Sequence, residues 1–181
     1  LPAGSLIETD PVNGYPCRFR TCYPTQLWPF SVNDARFVRP PYKVPQSPAS
    51  EETHGILHLE LKSDSDDAPF GALSLKHLRL YLAGESEEVF PLFEFIHNET
   101  LEVVVVSDKW EQSAVLPADA IEMVGFGRDE GLLPDNPRAF SGYRLLTEFF
   151  TLPEKFLYLQ LDLERIPRHL RDTWGTDLNV F

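Results

Sequence analysis

Cysteine is scarce in this 181-residue chain, with only Cys17 and Cys22, and the one methionine is Met123. Two thiols are too few to complete a four-ligand zinc site or to staple a small secreted domain. They fit the reduced thiols of a cytosolic protein, with a local disulfide across the short intervening loop as the geometric alternative. Apolar runs are short, well under the roughly 18–20 residues a membrane span needs, and no basic segment with an apolar core opens the chain. Direct membrane insertion is therefore not expected. Positive charge is lacking too: 16 basic side chains face 28 acidic ones, a formal net charge of −12. Such a field repels phosphates, so nucleic-acid binding is not expected either. There is no Gly-x-Ser-x-Gly elbow and no serine flanked by a base. The chain opens on Leu1 and closes on LNVF, which reads as the start of a further strand, so it is expected to be an internal piece of a longer polypeptide.

Proline is plentiful, 16 in all, and nine of these fall between Pro2 and Pro48. A missing N–H and a fixed φ disfavour long helices and central strands there. The same region carries Tyr15, Phe19, Tyr23, Leu27, Trp28, Phe30 and Phe37, too much aromatic surface for a disordered linker. Residues 1–52 are accordingly read as an extended Pro- and aromatic-rich arm that lies on the following domain or on a partner chain.

From residue 53 to 181 the pattern predicts a β-sandwich domain with two short helices, at about 88–98 and 142–152. In HGILHLELK, Leu57, Leu59 and Leu61 alternate with His58, Glu60 and Lys62, the period of a half-buried antiparallel strand with its leucines inward. LKHLRLYLAG repeats the device with Leu78, Leu80 and Leu82. EEVFPLFEFIHNET places Val89, Leu92, Phe93 and Ile96 on one helical stripe, with Pro91 expected in the first turn. The valines of LEVVVVSD leave no solvent face and predict a fully buried strand. In RAFSGYRLLTEFF, Ser141 is the expected cap, and Tyr143, Leu146, Phe149 and Phe150 form the expected core-facing side. FLYLQLDL then alternates again, with Leu157, Leu159, Leu161 and Leu163 on one face. The fold class expected is mainly β with inserted helices, α+β, an antiparallel β-sandwich of jelly-roll character preceded by the arm.

Candidate chemistry is thin. GFGRDEG at 125–131 resembles a phosphate loop only superficially, because LLPDNP follows where a helix is required, and turn glycines are the plainer reading. His54, His58 and His77 sit on neighbouring predicted strands with Glu60 as the one candidate to complete a ligand set, so exposed strand histidines are the plainer reading than a metal site. Asp64, Asp66 and Asp67 lack the glycine and downstream glutamate of a calcium loop. No catalytic residue, cofactor or metal is expected. What remains is surplus apolar surface in the arm, on the second face of 156–163 and in RDTWGTDLNVF, as an assembly subunit requires.

TCYPTQLWPFSVNDARF, LKHLRLYLAG, GFGRDEGLLP and RAFSGYRLLTEFFTLPEKFLYLQLDL, in this order over about residues 18–165, resemble the middle part of TssF (ImpG, VasA), a baseplate wedge subunit of the bacterial type VI secretion system. The matching positions are Tyr23, Pro24, Leu27, Trp28 and Pro29, then Gly125, Phe126, Leu132, Leu133 and Pro134. The last block matches at Phe140, Gly142, Tyr143, Arg144, Leu145, Leu146, Pro153, Glu154, Lys155 and Phe156. The acidic loop and the segment after Ile166 depart from the pattern. The resemblance implies a structural role without catalysis or cofactor. It implies a TssG-type wedge subunit as partner, with TssK, TssE and a second TssF copy, in a machine assembled in the cytoplasm at the inner membrane of a Gram-negative bacterium. A carbohydrate-binding, lectin-like β-sandwich is the competing class, and a hydrolase with a divergent site is the third.

Overall fold

The computed structural model describes residues 1–42, 44–107, 113–133, 138 and 140–181. Among the described residues the strands are β1 (Leu6–Glu8), β2 (Arg18–Arg20), β3 (Phe30–Val38), β4 (Ile56–Ser63), β5 (His77–Tyr81), β6 (Glu102–Ser107), β7 (Ser113–Pro117), β8 (Ile121–Met123), β9 (Tyr158–Asp162) and β10 (Asp177–Val180). The helices are α1 (Ser86–Glu99), α2 (Ser141–Thr151) and the single turn α3 (Arg168–Arg171), joined by short 3-10 turns. The chain is thus α+β and mainly β. It divides into two compact units, Leu1–Trp28 with Met123–Tyr158 (unit 1) and Pro29–Glu122 with Leu159–Phe181 (unit 2).

Unit 2 holds an antiparallel five-stranded sheet in the order β3-β4-β10-β6-β7 and a three-stranded sheet in the order β5-β9-β8. The four valines of β6 are all buried, as a strand without a solvent face demands. LNVF does become a strand, and β10 is an interior one, pairing Leu178 with Leu61 of β4 and with Ser107 of β6. Leu61, Leu78, Val105, Val106, Leu163 and Leu178 are essentially inaccessible to solvent, and Phe70, Ile166 and Trp174 join them. Trp174, expected as surplus surface, is core. On the three-stranded sheet the alternation holds: Leu78, Leu159 and Leu161 turn inward. Across its outer face Arg79 donates to Gln160 at 3.0 Å, and Gln160 donates to Glu122 at 3.0 Å.

Three expectations are corrected. His58, read as outward, is buried, because its Nε2 is 2.8 Å from Asn179 Oδ1 and its ring stacks on Phe181 at 4.4 Å. Leu57, read as inward, is exposed. Pro91 lies in the second turn of α1, since the helix starts five residues earlier at Ser86. The first 52 residues, expected as one arm, are shared between the units: the proline-free interval after Pro29 is long enough for nine residues of strand, and β3 pairs with β4 from Phe30↔Ser63 to Val38↔Ile56. A bulge between Val32 and Asp34 breaks the register of this edge strand, a device that discourages pairing with another chain.

Candidate functional site

In unit 1, α2 is turned over relative to the expected orientation. The apolar stripe faces solvent: Phe140 is 73% exposed, Tyr143 69%, Leu146 57%, Phe149 46% and Phe150 81%. The residues α2 buries are Arg144 and Glu148, one helical turn apart. Ser141 is the first helical residue and not the cap; Phe140 occupies that position and makes no side-chain cap bond.

The cause lies in the loop 125–133, whose backbone groups need partners away from water. Glu148 Oε1 accepts from the amides of Leu132 at 2.8 Å and Leu133 at 3.1 Å. Its Oε2 forms a buried ion pair with Lys155. The Lys155 ammonium also donates to the Gly125 carbonyl at 2.8 Å and lies 4.8 Å from the Phe156 ring centroid. Arg144 donates to the carbonyls of Gly127 at 2.8 Å and Arg128 at 3.1 Å. Glu130 Oε2 accepts from the amides of Gly125 at 2.8 Å and Gly127 at 3.2 Å. The glycine loop therefore does present amides to an anion, but the anion is its own Glu130 carboxylate.

Two glycines are fixed by this arrangement. Gly125 has φ +99°, a region that side chains other than glycine rarely adopt. A Cβ on Gly131 would collide with the Arg144 guanidinium. Burial pushes the Glu148 carboxyl up, but the Lys155 hydrogen bond, the Leu133 amide, the Lys155 charge and the Leu132 amide together hold it below the usual carboxylate range. The cluster is an ionised knot in which the Arg144 Nε alone, among the side-chain atoms named, is buried without a hydrogen-bond partner. Its polar atoms are spent on holding a loop.

The residues singled out from the sequence are dispersed by the fold as follows. Gly125, Lys155 and Phe156 are buried in the knot; Gly142 and Pro153 are half-buried, and Glu154 is exposed. Phe126, Leu133 and Tyr143 are exposed, although the Phe126 and Phe156 rings touch at 4.8 Å between centroids. Tyr23 and Trp28 are half-buried and Leu27 is exposed, all in the N-terminal segment of unit 1, while exposed Pro29 opens unit 2. Pro134 lies outside the described residues. Glu130 and Glu148 were missed. The signal that pointed to them was the Arg144/Glu148 pair at helical spacing beside a loop rich in unpaired amides. The three histidines are not assembled either: His54 Nδ1 is 2.8 Å from the Glu52 carbonyl, His58 is on Asn179, and His77 is 3.6 Å from Asp162. Among the described residues no three His, Cys, Asp or Glu side chains converge as metal ligands. Cys17 and Cys22 are exposed and unbridged, and no helix among the described residues is long and apolar enough to cross a membrane.

The fold of this α+β chain, in which α2 buries Arg144 and Glu148 and exposes its aromatics, has counterparts among known proteins. A chain of the type VI secretion system TssK-TssF-TssG baseplate subcomplex, solved by cryo-electron microscopy, has this fold, with a TM-score of 0.74 over 99% of the present chain and 32% of that one, at 24% identity. Type VI secretion system component TssF1 of Pseudomonas aeruginosa is 34% identical over 165 residues, which cover 91% of this chain and 26% of that protein. The family described as "Type VI secretion system, TssF" matches residues 1–180, and the chain belongs to that family. It spans about a quarter of the length of the curated relative it matches.

Proposed function

We propose that the chain is a structural part of a type VI secretion baseplate wedge, acting by protein–protein assembly and not by catalysis, and that the outward face of α2 is a docking surface. The carrying observation is the reversed helix. At about 150–250 Å² per large aromatic, Phe140, Tyr143, Leu146, Phe149 and Phe150 expose roughly 600 Å² of contiguous apolar side chain. That is at the upper end of what a free monomer displays and close to one partner's share of a standard interface, about 800 Å². The knot below keeps this face rigid, so little ordering entropy opposes docking.

The partners proposed are a TssG-type wedge subunit, TssK, TssE and a second TssF copy, in the cytoplasm at the inner membrane of a Gram-negative bacterium. Family membership supports this reading, as does the company of TssK and TssG in the solved subcomplex of the relative. The family-motif residues then divide in role: Gly125, Lys155 and Phe156 hold the loop, while Phe126, Leu133 and Tyr143 meet a partner. The two sheets of unit 2 are read as the layers of a sandwich, because Leu59 of one and Leu159 and Leu161 of the other line a common cavity.

The test is co-purification of the tagged protein with TssG and TssK from the same genome, repeated with Tyr143→Asp and Phe150→Asp. Retention of TssG by the wild type and its loss in both variants, with unchanged circular dichroism, is expected. Retention by the variants moves the contact off α2. Failure of the wild type to retain either partner refutes the baseplate role and makes a glycan-binding screen the next step.

A further inference from the structure

Unit 2 contains an apolar feature of its own. A cavity of about 450 Å³ opens between α1, the loop 44–55 and the two sheets. This size is in the range of pockets that bury a ligand, about 300–1,000 Å³. Leu59, Leu80, Leu159 and Leu161 form its inner wall, and Phe37 and Phe95 stand at its mouth. The two phenylalanines are half exposed and meet edge to face at 6.3 Å. Leu57 is exposed for the same reason: it lines the opening.

Among the described residues the charge lining this opening has one sign. Glu52, Glu99 and Glu102 line it, and among the described residues neither lysine nor arginine does. Unit 2 as a whole carries ten basic and 21 acidic side chains, net −11, whereas unit 1 carries six and seven, net −1. Nearly all the negative charge of the chain is on the unit with the cavity. Glu102 Oε1 accepts from the Ala49 amide at 3.3 Å; an anionic amphiphile such as a fatty acid would meet repulsion at the rim, and a neutral apolar ligand would leave the carboxylates of Glu52 and Glu99 without complement. The hydroxyls nearby are occupied locally: Thr53 Oγ1 donates to Ala49 O at 2.8 Å, and Tyr42 donates to Thr53 O at 3.3 Å. Few polar groups converge on the interior to fix the orientation of a small polar molecule.

We infer that this cleft receives an apolar segment of another protein chain that carries lysine or arginine beside its Leu, Ile or Phe anchors. The anchors fill the leucine-walled interior, and the cations reach the rim carboxylates. The inference does not rest on the docking role of α2, which is neutral, aromatic and in the other unit.

The experiment is fluorescence anisotropy with two labelled amphipathic helical peptides of the same Leu/Phe pattern, one with lysine and one with glutamate at the polar positions. The lysine peptide is expected to bind at least tenfold more tightly, with affinity falling as salt rises. Glu99 is exposed in the last turn of α1, where a cation suits the helix dipole, so Glu99→Lys folds. It should weaken the lysine peptide about tenfold and strengthen the glutamate peptide. Phe95→Ala should weaken both, and Phe150→Asp neither. Equal binding of the two peptides, binding of neither, or indifference to Glu99→Lys overturns the inference. Capture of dodecylammonium in preference to the lysine peptide also overturns it, by making the cleft a small-amphiphile pocket. Loss of binding in Phe150→Asp alone places the peptide on α2 and overturns it as well.

Discussion

Replacing Lys155 by methionine isolates the energetics of the knot. Methionine keeps most of the aliphatic volume and removes the ammonium, leaving the buried Glu148 carboxylate without its countercharge and the Gly125 carbonyl without its donor. Removing one member of a buried pair costs about 3–5 kcal/mol, because the remaining charge stays desolvated. With a urea dependence near 2 kcal/mol per molar, the midpoint for unit 1 should fall by about 2 M. Hydrogen exchange at the Leu132 and Leu133 amides reports the same loss locally. Adding Glu148→Gln keeps a carbonyl for those two amides and removes the orphaned charge, so the double variant should be more stable than Lys155→Met alone. The pH dependence has a definite sign. Glu148 is depressed in the folded protein, so its contribution is present above the ordinary glutamate value of about 4.3 and is lost as pH falls through the depressed folded value. In Lys155→Met burial acts against only the two amide bonds, the carboxyl rises, and the cost of the substitution should shrink towards pH 5. A cost under about 1 kcal/mol, or one independent of pH, would refute the knot as the reason α2 is reversed.

Other outcomes follow from the same geometry. Phe150→Ala should change stability by less than about 0.5 kcal/mol in thermal melts, since the ring is mostly in solvent. Gly131→Ala, whose methyl meets the Arg144 guanidinium, should cost about 1–3 kcal/mol by denaturant titration, and Arg144→Ala in the same chain should recover part of it. His58→Leu should cost about 1–3 kcal/mol by leaving the half-buried Asn179 Oδ1 without its partner; an unchanged midpoint would mean that water takes over that bond.

Where one face of an element met one layer of core, the sequence was sufficient. The valines of β6 and the leucines of FLYLQLDL gave the correct buried set, and the period of LKHLRLYL gave Leu78 buried with Leu80 and Leu82 half-buried. It failed where the orientation depended on something distant. Hydrophobic periodicity establishes that α2 has two different faces but not which one is covered, and the covering here is a loop whose amides demand Glu148 and whose carbonyls demand Arg144. His58 is inside because Asn179 and Phe181, far along the chain, supply its partners. Leu57 is outside because the core is cleft at that point. The resemblance of consecutive motifs carried the family, which single residues did not.

The strand order of the larger sheet also sets a timetable for synthesis. β4 and β6 are not neighbours; β10, made more than a hundred residues after β4, is the strand between them. At about 5–20 residues per second, the ribosome exposes an unpaired edge of β4 for several seconds before its partner emerges. Through that interval a leucine-rich edge is open to any other nascent chain, and the sheet closes only when residues 177–180 arrive. Translation speed across the stretch between them is therefore a determinant of yield, independent of the stability of the finished protein.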